Sequence, residues 1–254
     1  MFEAIAVISD IHSNKYALEA VLQDADKRNI QLIVNLGDSL FGPVDPLGTA
    51  ELLMQRDHVI NIKGNCDELL LQDSNPSPSF NYVKPLLQSV HEDWIRDHKD
   101  SWSFDNLFFC HGTPWSNTHH MLEQIAPNGQ VIYKKAEQLC EELQSMDQQV
   151  LFCGHSHVYH SIVLPDSKLV INPGSVGLPA YEDEVPFPHK MESGTPHASY
   201  CVCRRDTVKK SWDIEHILVT YNWNEAADLA EQNGRLDYAH PIRTGKIQSN
   251  PSIG

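Results

Sequence analysis

Through the first half of the chain, short apolar runs alternate with stretches of helical period. Residues 4–8 (AIAVI) are uninterruptedly apolar, as expected of a strand covered on both faces. Between residues 15 and 28, Ala17, Leu18, Val21, Leu22 and Ala25 fall on one face of a helix. A second strand follows at 32–36 (LIVNL). Leu47, Ala50, Leu53 and Met54 then mark a shorter helix, with Pro46 suited to its first turn, and 58–62 (HVINI) make a third strand. This β-α-β-α-β order predicts parallel strands joined by crossover helices.

The polar, Pro/Ser-rich stretch 72–81 reads as a surface loop. It leads into a helix over 83–99 with Leu86, Leu87, Val90 and Trp94 inward. Strands at 106–110 (NLFFC) and 149–153 (QVLFC) flank a helix over 131–146 that carries Ala136, Leu139, Cys140 and Leu143. Beyond them the pattern becomes hairpin-like. Residues 161–164 pair with 168–172 around Pro165-Asp166-Ser167, and 198–204 pair with 211–221. A helix occupies about 224–232, segment 182–197 reads as a long irregular loop, and 241–254 as an extended tail. The sum is α/β: one domain over residues 1–240, with two packed sheets, the first fed by βα units, and helices outside.

Composition narrows the function. With 254 residues and 41% apolar content, the chain can bury a large core. No apolar run reaches the roughly 20 residues of a membrane helix. The start, MFEAIAVISD, reads as a first strand and not a signal peptide, so a cytoplasmic location is expected. A formal net charge of −15 without a Lys/Arg cluster argues against long nucleic acids but not against small phosphate compounds. The six cysteines form no CxxC pair. Cys110, Cys153, Cys201 and Cys203 lie in strand-like runs as small buried hydrophobes. A homo-oligomer is compatible with this composition.

The chemistry stands where the strands end. The first strand is followed by Asp10-Ile11-His12, the second by Gly37-Asp38 and the third by Gly64-Asn65-Cys66-Asp67. The fourth is followed by His111-Gly112, and the fifth by Gly154-His155-Ser156-His157. The carboxyl edge of an open α/β sheet is where ligands bind, so the five loops can converge. Carboxylate and amide oxygens with imidazole nitrogens suit Mn, Fe, Zn, Ni or Co better than Ca or Mg. Asp38 is suited to bridge two cations, and two metals about 3.5–4 Å apart are the usual arrangement for displacement at phosphorus. Each fragment alone is common by chance; their shared position after successive strands is not.

These five blocks, in this order, resemble the calcineurin-like metallophosphoesterases. Gly64-Asn65-Cys66-Asp67 followed by Asn172-Pro173-Gly174-Ser175-Val176-Gly177 is similar to the family's small bacterial and archaeal phosphodiesterase-like branch. Residues 37–46 (GDSLFGPVDP) resemble a group associated with diadenosine tetraphosphate hydrolysis or protein phosphatase chemistry. The resemblance implies a four-layer-like sandwich of two mixed sheets flanked by helices. It also implies two divalent or trivalent transition-metal ions, one on Asp10, His12, Asp38 and His157, the other on Asp38, Asn65, His111 and His155, with a metal-bridging hydroxide as nucleophile. The expected substrate is a small phosphodiester or a nucleotide phosphoanhydride. A phosphoprotein or phosphomonoester phosphatase is the alternative enzyme, and a non-catalytic metal-binding scaffold a third reading.

The sequence departs from the family at Cys66, where many members have a histidine that protonates the leaving oxygen. Cysteine is a poor match for that role. Asp67, His119 and His120 are the substitutes to consider, with Asp67 also suited to orienting a ligand. The turn at Asn172-Pro173-Gly174-Ser175 is expected to brace the site. His189 and His197 read as exposed loop histidines, and Trp115, just after the His111 loop, as a candidate to stack on a base or aryl group.

Overall fold

The computed structural model describes residues 2–248. The predicted opening is present: β1 (Ala4–Ile8), α1 (Lys15–Lys27), β2 (Leu32–Asn35), α2 (Pro46–Met54) and β3 (Val59–Asn61). Three short helices follow, α3 (Asn65–Leu70), α4 (Pro78–Val83) and α5 (Ser89–Arg96). Then come β4 (Ser101–Phe104), β5 (Leu107–Cys110), β6 (Glu123–Ile125), β7 (Val131–Tyr133), α6 (Ala136–Glu142) and β8 (Val150–Phe152). The hairpins are β9 (His160–Val163) with β10 (Leu169–Asn172), β11 (Ala180–Asp183) with β12 (His189–Glu192), and β13 (Ala198–Asp206) with β14 (Ser211–Val219). Helices α7 (Trp223–Gln232) and α8 (Leu236–Thr244) close the chain.

Two five-stranded mixed sheets result, ordered β14-β13-β1-β2-β3 and β4-β5-β8-β10-β9. β1, β2 and β3 run parallel, as do β5, β8 and β10, with antiparallel strands completing each sheet. Strand alternation divides the core into layers. Ile5, Val7 and Val34 of one sheet meet Phe109, Phe152 and Ile171 of the other. Ala6, Ile8 and Val202 face the opposite way, onto Leu18 and Val21 of α1. Phe108, Leu151 and Val170 face Leu139 of α6. The uninterrupted apolar runs are therefore strands covered on both sides, in helix–sheet–sheet–helix order.

Five expectations give way. The helix over 83–99 is two helices. Lys84-Pro85-Leu86 forms a single tight turn, Leu87 is extended, and α5 starts afresh at Ser89. The helical phase restarts there, so Ile95 is buried while Leu86 and Val90 are 39% and 50% exposed. The loop over 72–81 already contains the start of α4, with Pro78 in its first turn. In the segment 131–146, the β-branched and aromatic Val131-Ile132-Tyr133 pair with Glu123–Ile125 as a hairpin, and the helix begins only at Ala136. Segment 182–197 is not irregular, because β11 and β12 pair from Ala180↔Glu192 to Asp183↔His189 and bury His189. The extended tail from 241 is also displaced. α8 runs through Pro241 to Thr244 and ends at Gly245, whose positive φ makes a left-handed cap. Residues 249–254 lie outside the described residues.

Candidate metal centre

All five strand-end loops meet at one edge of the sandwich. Asp10, His12, Asp38, His111, His155 and His157 are buried, and Asn65 is half-buried. The backbone there is unusual. Asp10, His12, Asp38, His155 and His157 all have positive φ, between 46° and 69°. Each such non-glycine residue costs on the order of 1 kcal/mol, and clusters of them mark functional sites. The strain is held by cross-loop bonds: Asp10 N–H to Gly37 O (3.0 Å) and His12 N–H to Asp38 O (2.9 Å). Gly64 is required by close approach, since a Cβ there would lie 2.0 Å from Asp38 Oδ1.

Backbone carbonyls fix the ring orientations. His12 Nδ1 bonds Phe41 O (2.7 Å), His111 Nδ1 bonds Leu36 O (3.0 Å) and His157 Nδ1 bonds Leu178 O (2.6 Å). A carbonyl only accepts, so each Nδ1 carries a proton and each ring turns its Nε2 inward. His12 and His157 thus face each other, Nε2 to Nε2, at 3.1 Å. Asp10 Oδ1 is buried without a hydrogen-bond partner and lies 3.4 Å from His157 Nε2. These are acceptors facing acceptors, an arrangement that fits a cation.

The charges agree. Burial and neighbouring positive groups hold His155 and His157 well below the usual histidine range, so both are neutral and able to donate a lone pair. Burial pushes Asp10 up to about 6. At His111 burial works downward, yet Asp38, Asp10 and Asp67 override it and raise the imidazole to about 9. A proton there answers the same field that a metal would. Asp38 is held far below its usual range by His111 and His12 despite its burial.

Asp10, His12 and His157 can hold one ion, and Asp10, Asp38 and His111 a second, each set of ligand atoms lying within 4.8 Å of one another. Asp38 Oδ2 lies between the sets, 3.8 Å from His12 Nε2 and 3.5 Å from His111 Nε2, while Oδ1 accepts the Cys66 N–H (2.9 Å). Asn65 Oδ1 meets His111 Nε2 at 2.9 Å. Of the seven residues expected from the sequence, five fall in these two sets, with Asp10 common to both; Asn65 touches His111, and the His155 ring lies beside that of His111 at 5.3 Å between centroids.

The expected proton donors are not gathered. Asp67 accepts the N–H groups of Asp38 (2.8 Å), Ser39 (3.1 Å) and Gly64 (2.9 Å), so it braces the Asp38 and Asn65 loops instead of facing substrate. His119 is exposed. His120 stacks on His155 at 4.7 Å between ring centroids, and its Nε2 bonds Tyr181 Oη (3.0 Å), which donates to His155 O. It props a ligand. Neither histidine lines the adjoining cavity. The brace expected at Asn172–Ser175 is present. Asn172 Nδ2 donates to Gly154 O (2.7 Å) and Ser175 Oγ to Asp10 O (2.7 Å).

Behind Asp67, His98 is buried with neither ring nitrogen hydrogen-bonded, and burial with nearby Lys63 lowers it to about 3. Unfolded, this histidine takes up a proton below about 6.5; folded, it does not until about 3. Its contribution to stability is therefore full above about 6.5 and declines as pH falls. The slope is about 1.4 kcal/mol per pH unit, or about 2 kcal/mol by pH 5. His98→Phe, which keeps the ring against Trp94, is expected to flatten the stability difference between pH 7 and pH 5 by that amount in urea titrations. An unchanged difference would refute this.

The cavity beside the cluster has a volume of about 610 Å³. His12, Asp38, Asn65, His155 and His157 form its floor, and Cys66 opens onto it. The opposite wall comes from regions without strand-end motifs, including Tyr181, Arg235, Tyr238 and His240. The sequence offers no signal for these; they arrive by the packing of α8 against β11.

An α/β sandwich whose strand ends present converging acceptors is a candidate metal-binding architecture. The chain belongs to the calcineurin-like phosphoesterase superfamily, whose domain model matches residues 4–187. That superfamily uses divalent metal ions. An uncharacterized protein of Methanocaldococcus jannaschii is 28% identical over 90% of this chain and 92% of its own. The crystal structure of a metallophosphoesterase from Sphaerobacter thermophilus shares the fold at a TM-score of 0.75 and 21% identity, over 97% of this chain and all (100%) of that one. A hypothetical protein from Pyrococcus horikoshii does so at 0.69 and 16%, over 96% and 99%. Among the described residues no helix is long and apolar enough to cross a membrane.

Proposed function

We propose that the protein is a two-metal phosphoesterase acting on small phosphodiesters or nucleotide phosphoanhydrides. The observation that carries this reading is the 3.1 Å contact between His12 Nε2 and His157 Nε2, each ring donating its Nδ1–H to a backbone carbonyl. Bound there, two transition-metal ions would supply a hydroxide nucleophile near neutral pH and offset charge on the phosphoryl oxygens. Asp10 and Asp38 balance the charge of the pair, and the carbonyl-anchored histidines keep the ligand set from rearranging. Persistence of the full ligand set supports catalysis over a scaffold role.

Cys66 limits the substrate. Burial, with Asp38 beside it, pushes its thiol far up, so it stays neutral and gives up a proton poorly. Leaving groups that are stable as anions are favoured. With metal restored, bis(4-nitrophenyl) phosphate and nucleoside polyphosphates are expected to turn over at least about tenfold faster than alkyl phosphomonoesters, about 1.4 kcal/mol in barrier. Equal rates in a steady-state panel would mean that a proton donor acts from elsewhere. No turnover on diesters, anhydrides or phosphopeptides would sink the enzyme reading.

A further inference from the structure

Among the described residues lining the cavity, Arg235 is the one side chain with a fixed positive charge. It stands at the start of α8, beyond the span matched by the family model, and only 12% of its side chain is exposed. Its Nε and Nη2 donate to Asp237 Oδ1 (2.8 Å) and Oδ2 (2.6 Å), and Nη1 donates to Ser79 Oγ (2.9 Å). The guanidinium carbon lies 4.6 Å from the Tyr238 ring centroid. His12 also stands beside that ring, 6.5 Å between centroids, and Tyr238 Oη bonds the same Phe41 carbonyl that anchors His12. One aromatic ring therefore separates the arginine from a metal-ligand histidine.

Asp237 and Ser79 take three of the five guanidinium N–H groups and Tyr238 stands beside the fork, which still leaves donor capacity for an anion. The other charged groups on that wall are carboxylates, Glu182, Asp183 and Asp237. A second anionic group on the substrate would be repelled by them and is met by Arg235. A planar, always-charged fork is the side chain suited to phosphate.

We infer that Arg235 binds a second phosphoryl group, so that the preferred substrate is a phosphoanhydride such as a nucleoside polyphosphate, and not a diester of two uncharged alcohols. This rests on the phosphoesterase reading above. In the hydrolysis, a water oxygen forms a bond to one phosphorus and the bridging P–O bond breaks. The bond's electron pair leaves with the second phosphate, and the water's proton passes to solvent. The leaving phosphate gains charge as it departs and needs no proton, which agrees with the neutral thiol at Cys66. Arg235 offsets that charge.

The test compares ADP with bis(4-nitrophenyl) phosphate, which carries one charge, on Mn-reconstituted protein. R235Q is expected to raise KM for ADP by about 10- to 100-fold, the effect of a lost charge-assisted contact. The diester should change by no more than about 3-fold. R235K, with charge but no fork, should fall between wild type and R235Q for ADP. D237N frees the guanidinium and should lower KM for ADP. Calorimetric binding of imidodiphosphate, which needs no turnover, should weaken in R235Q in parallel. Equal losses on both substrates, or imidodiphosphate binding unchanged in R235Q, would overturn the assignment. If wild type hydrolyses neither substrate, the phosphoesterase reading has failed. Arg235-dependent binding of imidodiphosphate would still support the anion site.

Discussion

Asp38→Asn is expected to abolish turnover while leaving the protein folded. The amide keeps the shape of the carboxylate, and its oxygen can still accept the Cys66 N–H, now made at 2.9 Å. What it loses is the negative charge between His12 and His111. Lewis-acid stabilisation at such centres amounts to several kcal/mol. At about 1.4 kcal/mol per decade, a drop of about a thousandfold or more in kcat follows. Metal analysis should show fewer than two ions per chain, and circular dichroism should be that of wild type. Wild-type turnover by this variant would remove the two-metal mechanism.

Adding Mn to metal-free protein should raise the melting temperature by on the order of 10 °C, and a chelator should reverse it. A ligand that binds only the folded state contributes about 4 kcal/mol per site at a thousand times its Kd. A chain of this size shifts by about 2–4 °C per kcal/mol. The effect should be large because the folded protein has already aligned the acceptors: two imidazole lone pairs at 3.1 Å and the unpartnered Asp10 Oδ1. Differential scanning fluorimetry across Mn, Fe, Zn, Ni and Co checks this. No shift with any of the five would contradict a preformed cation site.

The candidate site was legible in the sequence because most of its residues follow strands covered on both faces. AIAVI before Asp10 and LFFC before His111 are local patterns, and parallel strands bring such ends together. The short strands were harder to read. Trp102 and Phe104 pack on the inter-sheet core from the exposed edge strand β4, whose alternation was readable but brief. Val131–Tyr133 was absorbed into a helical window because three residues carry little periodicity. Arg235 and Tyr238 were beyond reach. Nothing in their neighbourhood indicates a site until α8 folds against β11 and presents them to His12. Residues after a strand announce themselves, whereas residues delivered by tertiary packing do not.

The antiparallel pairing of β1 with β13 has a consequence for synthesis. β2 covers one edge of β1 early, but Ala4 pairs with Arg204, so the other edge of the strand that carries Asp10 and His12 at its end waits for about 200 further residues. At roughly 5–20 residues per second on the ribosome, that interval is on the order of 10–40 s. Throughout it, one edge of a wholly apolar strand is open to other chains. Completion of this sheet is therefore late, and its yield in the cell should depend on whatever shields that open edge in the meantime.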